Sequence, residues 1–96
     1  IKIDEIAERI LTLGFTPLHS YSDFIANSSI KECRNISAAK EAVTLILEAY
    51  SVLLPLEREI LQMSDDMNDE GTNALMSDYI REQEKLVWMY TAFLNQ

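Results

Sequence analysis

Glycine and proline are scarce in this chain, two of each in 96 residues. So little punctuation leaves few places for tight turns, and it favours long uninterrupted helices over a succession of short strands. Cys33 is the only cysteine, which excludes an internal disulfide and any thiolate metal cage. His19 is the only histidine, so a helix-borne Glu-x-x-His pair, the mark of a metal site inside a helical bundle, is absent. There is no apolar run long enough to span a bilayer and no secretory signal pattern. A reducing cytoplasm is therefore the expected setting, and the acceptor-like triplets at Asn27 and Asn35 are discounted as glycosylation sites. Basic residues are few and dispersed, 8 Lys and Arg against 16 Asp and Glu, for a net charge of -8. Phosphate-backbone recognition needs clustered cations, so this segment is expected to lack a nucleic-acid footprint. No nucleophile–base set, phosphate-cradling glycine loop or zinc spacing is present.

What remains is helical pattern. Hydrophobic residues make up 48% of the chain and charged residues 25%, enough apolar content for a packed domain. Ile3, Ile6, Ala7, Ile10 and Leu13 recur at helical spacing and predict a helix over Lys2 to Leu13, with Gly14 closing it. Phe15 to Tyr21 reads as a loop around Pro17. Ser22 to Asn27 reads as a short helix capped by Ser22, and Ser28 to Ile36 as irregular chain. From a Ser37 cap to about Asp66, the residues Ala42, Leu45, Ile46, Ala49, Leu53, Leu56, Ile60 and Met63 keep helical period, a span of about 45 Å. Pro55 lies inside that span and predicts a bend or a break near Val52. A last helix starts near Asp69 and carries Leu75, Met76, Tyr79, Ile80, Leu86, Val87, Tyr90, Phe93 and Leu94. The chain opens on Ile1 rather than Met, with helical pattern running by Ile3, so a preceding stretch is expected. A four-helix bundle short of its first helix accounts for the pattern.

Candidate chemistry rests on acidic residues. Asp4 and Glu8 stand four apart, neighbours on one face at the edge of the apolar stripe. Paired carboxylates there repel one another, and a cation with a preference for oxygen ligands, iron among them, relieves both the repulsion and the cost of burial. A solvated acidic edge, with Glu5 and Arg9 as an i,i+4 ion pair beside it, is the commoner meaning of such spacing. Asp65, Asp66, Asp69, Glu70 and Asp78 cluster near the last interhelical turn. Repeated around a symmetry axis they would form a cation entrance, and taken singly they are a polar turn with an N-cap. Trp88, Tyr90, Phe93 and the four methionines read as core or subunit-contact residues, and Cys33 as a quiet thiol.

Three segments resemble the Dps family of mini-ferritins. Asp4-Glu5-Ile6-Ala7-Glu8-Arg9-Ile10, followed by Leu13-Gly14 and Pro17, is similar to the family's second-helix motif. Asp69-Glu70-Gly71-Thr72 resembles the turn that opens its last helix. Glu82-Gln83-Glu84-Lys85-Leu86-Val87-Trp88-Met89 resembles its Glu-Lys-x-x-Trp-Met signature. The resemblance implies an all-α, ferritin-like four-helix bundle, of which residues 1–96 form the C-terminal part: the second to fourth helices and a short connecting helix. It further implies a homododecameric shell in which each iron centre is shared between two subunits. Histidines from one subunit's first helix would complete a site whose carboxylates here are Asp4 and Glu8, both as iron ligands and as catalytic groups. The implied function is oxidation of Fe(II), with hydrogen peroxide preferred over oxygen, and storage of ferric mineral, which protects DNA from radical damage. Asp69, and more weakly Glu70 and Asp78, would line the iron entrance. The alternative is a DNA-packing shell protein with little ferroxidase activity. A plain helical interaction module is a third reading, and direct DNA binding by this segment is not expected.

Overall fold

The computed structural model describes residues 1–96 and is wholly helical: α1 (Lys2–Thr12), α2 (Tyr21–Asn27), α3 (Ala39–Asp66) and α4 (Glu70–Leu94). Helix α1 ends as the sequence predicts. Gly14 takes φ 91°, and the N–H groups of Gly14 and Phe15 reach back to the carbonyls of Leu11 and Ile10, both at 3.0 Å. This paired closure needs a left-handed residue after the helix, which glycine adopts at no steric cost.

Helix α3 ends the same way with a different residue. Asn68 has φ 59°, a conformation asparagine tolerates better than most residues. The N–H groups of Asn68 and Asp69 return to Asp65 and Ser64 at 3.1 and 2.8 Å. The chain then enters α4 at once, because Asp69 is also its N-cap, its side chain accepting from the Thr72 N–H.

Two expected caps are displaced. Helix α2 begins at Tyr21, and its cap is Ser20, whose hydroxyl accepts from the Asp23 N–H at 3.3 Å; Ser22 lies inside the helix. The cap of α3 is Ala38, without a side-chain bond, and Ser37 lies outside it. The expected break in the long helix does not occur, since α3 runs through Pro55 as one element. A proline removes one backbone bond, and the packing of a long helix on its neighbour carries it past that loss.

The three-residue turn between α3 and α4 makes them an antiparallel pair. Helix α1 also runs antiparallel to α4, since Lys2 meets Glu82 while Arg9 meets Asp69. Helices α1 and α3 are therefore parallel, joined by the long crossover that holds α2, the connectivity of a ferritin-like bundle. Only six of 96 residues are buried: Leu54, Met76 and Tyr79, with the polar Glu57, Ser64 and Gln83. Three helices leave the fourth side of the core open, and an apolar groove of about 320 Å³ runs between α1, α3 and α4. No helix is long and apolar enough to cross a membrane.

Candidate carboxylate site

Asp4 and Glu8 both lie exposed on α1. Neither is engaged in an ion pair or side-chain hydrogen bond, whereas Lys2, Glu5 and Arg9 around them each bond to a side chain across the helix interface. Lys2 Nζ contacts Glu82 at 2.8 Å. Tyr79 donates its hydroxyl to Glu5 at 3.1 Å. Arg9 donates from Nε to Thr72 Oγ1 at 3.0 Å and from Nη2 to Asp69 Oδ1 at 2.6 Å. The expected Glu5–Arg9 pair is thus replaced by a ladder from α1 to α4. Its members, Lys2, Glu5 and Arg9, recur at i, i+3 and i+7 and so share one face. At 3.6 residues per turn, Asp4 and Glu8 lie roughly 110° around the helix from that ladder. The ladder fixes which way α1 is rotated, and the rotation leaves both carboxylates free on the outside.

Asp69 joins three helices. Its N–H closes α3, its carboxylate caps α4, and the same carboxylate holds Arg9 of α1. Thr72 donates to it twice, from N–H to Oδ1 at 3.2 Å and from its hydroxyl to Oδ2 at 2.6 Å. These bonds, Thr72's first and Arg9's after them, hold the Asp69 carboxyl below its usual range. Gly71 makes room for Arg9, since a Cβ there would lie 2.6 Å from the guanidinium nitrogens.

Tyr79 is the most deeply buried apolar side chain of the molecule. Burial and the bond to Glu5 push its hydroxyl up to about 12. Burial likewise raises the Glu57 carboxyl, an effect that a hydrogen bond from the neighbouring Gln83 partly offsets.

The other candidate residues divide. Asp69 and Glu70 line one polar hollow with Ser64, Asp65, Asn68 and Asn73. Asp78 does not, lying about 12 Å further along α4, where it pairs with Arg81 at 3.3 Å. His19 and Cys33 are exposed in the crossover. No three acidic, histidine or cysteine side chains are gathered to hold a metal ion, so Asp4 and Glu8 offer two carboxylate ligands and leave part of a coordination sphere open. Sequence reasoning assigned Tyr79 to the apolar stripe and passed over Thr72, Glu57 and Gln83. The i, i+3, i+7 recurrence of Lys2, Glu5 and Arg9 was the signal for a second, polar stripe.

The ferritin-like domain family matches residues 2–96. The chain is 52% identical to an uncharacterised protein of Haemophilus influenzae over 91 residues, 95% of this chain and 57% of that protein. It is 35% identical to a DNA protection during starvation protein of Porphyromonas gingivalis over 95 residues, 99% of this chain and 60% of the relative. The crystal structure of a Dps protein from Vibrio cholerae, described as a ferritin-like diiron-carboxylate protein, superposes with a TM-score of 0.95 at 49% identity. It covers 97% of this chain and 58% of that one. The chain thus spans less than two thirds of the length of these relatives.

Proposed function

This chain belongs to the ferritin-like domain family, among its Dps proteins, and from that membership we propose that the whole protein is a ferroxidase and iron store. Residues 1–96 are the C-terminal part of one ferritin-like domain. The substrate is Fe(II), the preferred oxidant is hydrogen peroxide, and the ferric product is kept as mineral inside a cytoplasmic dodecameric shell. The observation that supports this reading is the pair Asp4 and Glu8, exposed and unpaired on a helix whose other charges are committed to α4.

Asp4 and Glu8 bind Fe(II) through oxygen, and the remaining ligands come from a second subunit. Two carboxylates bring two negative charges, which favour the ferric over the ferrous state. When two Fe(II) ions each give one electron to one peroxide, both oxygens leave as water or hydroxide, and no hydroxyl radical is released. DNA is protected by that stoichiometry. Direct DNA binding by residues 1–96 is not part of the proposal, because their net charge of -8 repels phosphate. Asp69 and Glu70 serve the iron entrance, Glu70 as the freer carboxylate of the two, and Asp78 flanks it.

The test is the rate of Fe(II) oxidation by peroxide in the full-length protein and in an Asp4→Asn, Glu8→Gln double variant of unchanged assembly mass. Removing direct ligands should cost at least the roughly 10–100-fold that outer partners of metal ligands carry. Equal rates would take both residues out of the chemistry.

A further inference from the structure

The apolar groove is lined by Ile6, Ile10, Leu53, Leu56, Ile60 and Met76, and Glu57 also opens onto it. Glu57 is 8% exposed and Gln83, beside it on α4, 4%. Glu57 Oε1 and Gln83 Oε1 are buried without a hydrogen-bond partner. Both atoms are acceptors, so what they lack is a donor, and a buried acceptor left unpaired is costly. The nearest cations are already engaged, Lys2 with Glu82 and Arg58 with Glu84. Relatives of this chain extend over two fifths or so more of their own length than it covers, and three of the four walls of a bundle are present here.

We propose that the groove receives an amphipathic helix of this same protein, from outside residues 1–96, and that this helix inserts a hydrogen-bond-donating side chain between Glu57 and Gln83. The inference rests on the ferritin-like bundle reading and adds the chemistry of the covering helix. An all-apolar groove would let a helix slide by a turn at little cost, because one aliphatic side chain packs much like another. A single buried donor meeting two fixed acceptors permits one register only, since any other leaves polar atoms unpaired on both sides. Glu57 and Gln83 sit on different helices, so the same donor would also pin α3 to α4.

The experiment compares thermal midpoints of the full-length protein and its Glu57→Leu and Glu57→Gln variants. Deleting one member of a paired buried group lowers stability, whereas deleting an unpaired buried charge raises it, so the sign of the shift decides. The expected result is a fall of roughly 10 °C for Glu57→Leu and a smaller fall, or none, for Glu57→Gln, which keeps an acceptor oxygen. A rise in either variant overturns the donor. Should Glu57→Leu fail to fold, the sign for Glu57→Gln decides alone. Covering is tested separately with Leu56→Cys in a Cys33→Ser background. Slow maleimide labelling is expected, and rapid labelling would sink the bundle reading itself rather than the donor.

Discussion

At the scale of single residues, the molecule spends its charges on joining helices. Lys2, Glu5 and Arg9 each reach α4, and Asp69 serves α1, α3 and α4 together. Most of these bonds lie at least partly open to water, where an ion pair contributes little to stability. Their value is geometric, since three contacts along one face admit one rotation of α1. Tyr79 differs because it is buried. Its hydroxyl titrates at about 12 in the folded chain against an ordinary 10, so the folded state holds this proton more tightly than the unfolded state does. The resulting stabilisation is fully present below pH 10 and is lost as pH rises from there through about 12. Alkaline unfolding followed by circular dichroism should show that loss, and Tyr79→Phe should flatten it. A Tyr79→Phe profile as steep as that of the parent would remove Tyr79 as its cause.

At the scale of elements, the helices are set by their ends. Gly14 and Asn68 each turn the chain out of a helix through a left-handed residue, and Asn68 also places the next polar group for use. After Asn68 that group is Asp69, which explains how a three-residue turn can be both stop and start. Helix α3 carries the opposite device. Pro55 forgoes a hydrogen bond to Ser51 and is exposed to solvent beside Leu47 and Leu54, so little apolar packing is lost by replacing it with alanine. Restoring a helix-forming residue at such a position recovers up to about 3 kcal/mol. Pro55→Ala should therefore raise the denaturant midpoint by the equivalent of about 1–3 kcal/mol at unchanged m-value. A fall in the midpoint would mean that the proline shapes α3 for a neighbour.

At the scale of the whole molecule, the decisive quantity is how little is buried. A folded domain of this length hides far more than the six residues counted here. The large side chains left open are spread over the crossover and all the long elements, α1, α3 (Ile46, Leu56, Ile60, Met63) and α4, with Trp88 67% exposed. Surface of that kind marks contacts still to be made. Residues 1–96 in isolation should accordingly bind a hydrophobic dye and self-associate as concentration rises, while the full-length protein should sediment at the mass of twelve copies. A monomeric, dye-silent 96-residue fragment would show that this surface needs no cover.

The sequence by itself determined where helix lies along the chain, though not that α3 runs unbroken through Pro55, together with the loop at Pro17, the closure at Gly14 and the start of the last helix at Asp69. These follow from the period of apolar residues and from caps a few residues away, which are local properties of the chain. It also carried the family, through Asp4-x-x-x-Glu8-Arg9-Ile10 and the Glu84-Lys85-x-x-Trp88-Met89 run. The tertiary structure decided what the charges do. Glu5 and Arg9 are adjacent on α1 and would pair in an isolated helix, yet each finds a partner at least 60 positions away. That outcome depends on α4 lying alongside. Tyr79 reads only as apolar stripe, and the burial of Glu57 and Gln83 goes unsignalled, for the same reason, because the chain alone does not say which polar group a neighbouring helix will cover. Ser20 over Ser22 is a narrower case, in which two hydroxyls stood near a helix start and backbone geometry chose between them, and at Ala38 over Ser37 it passed the hydroxyl by. Local physics sets where helices begin and end, and packing between distant segments sets which side chains meet.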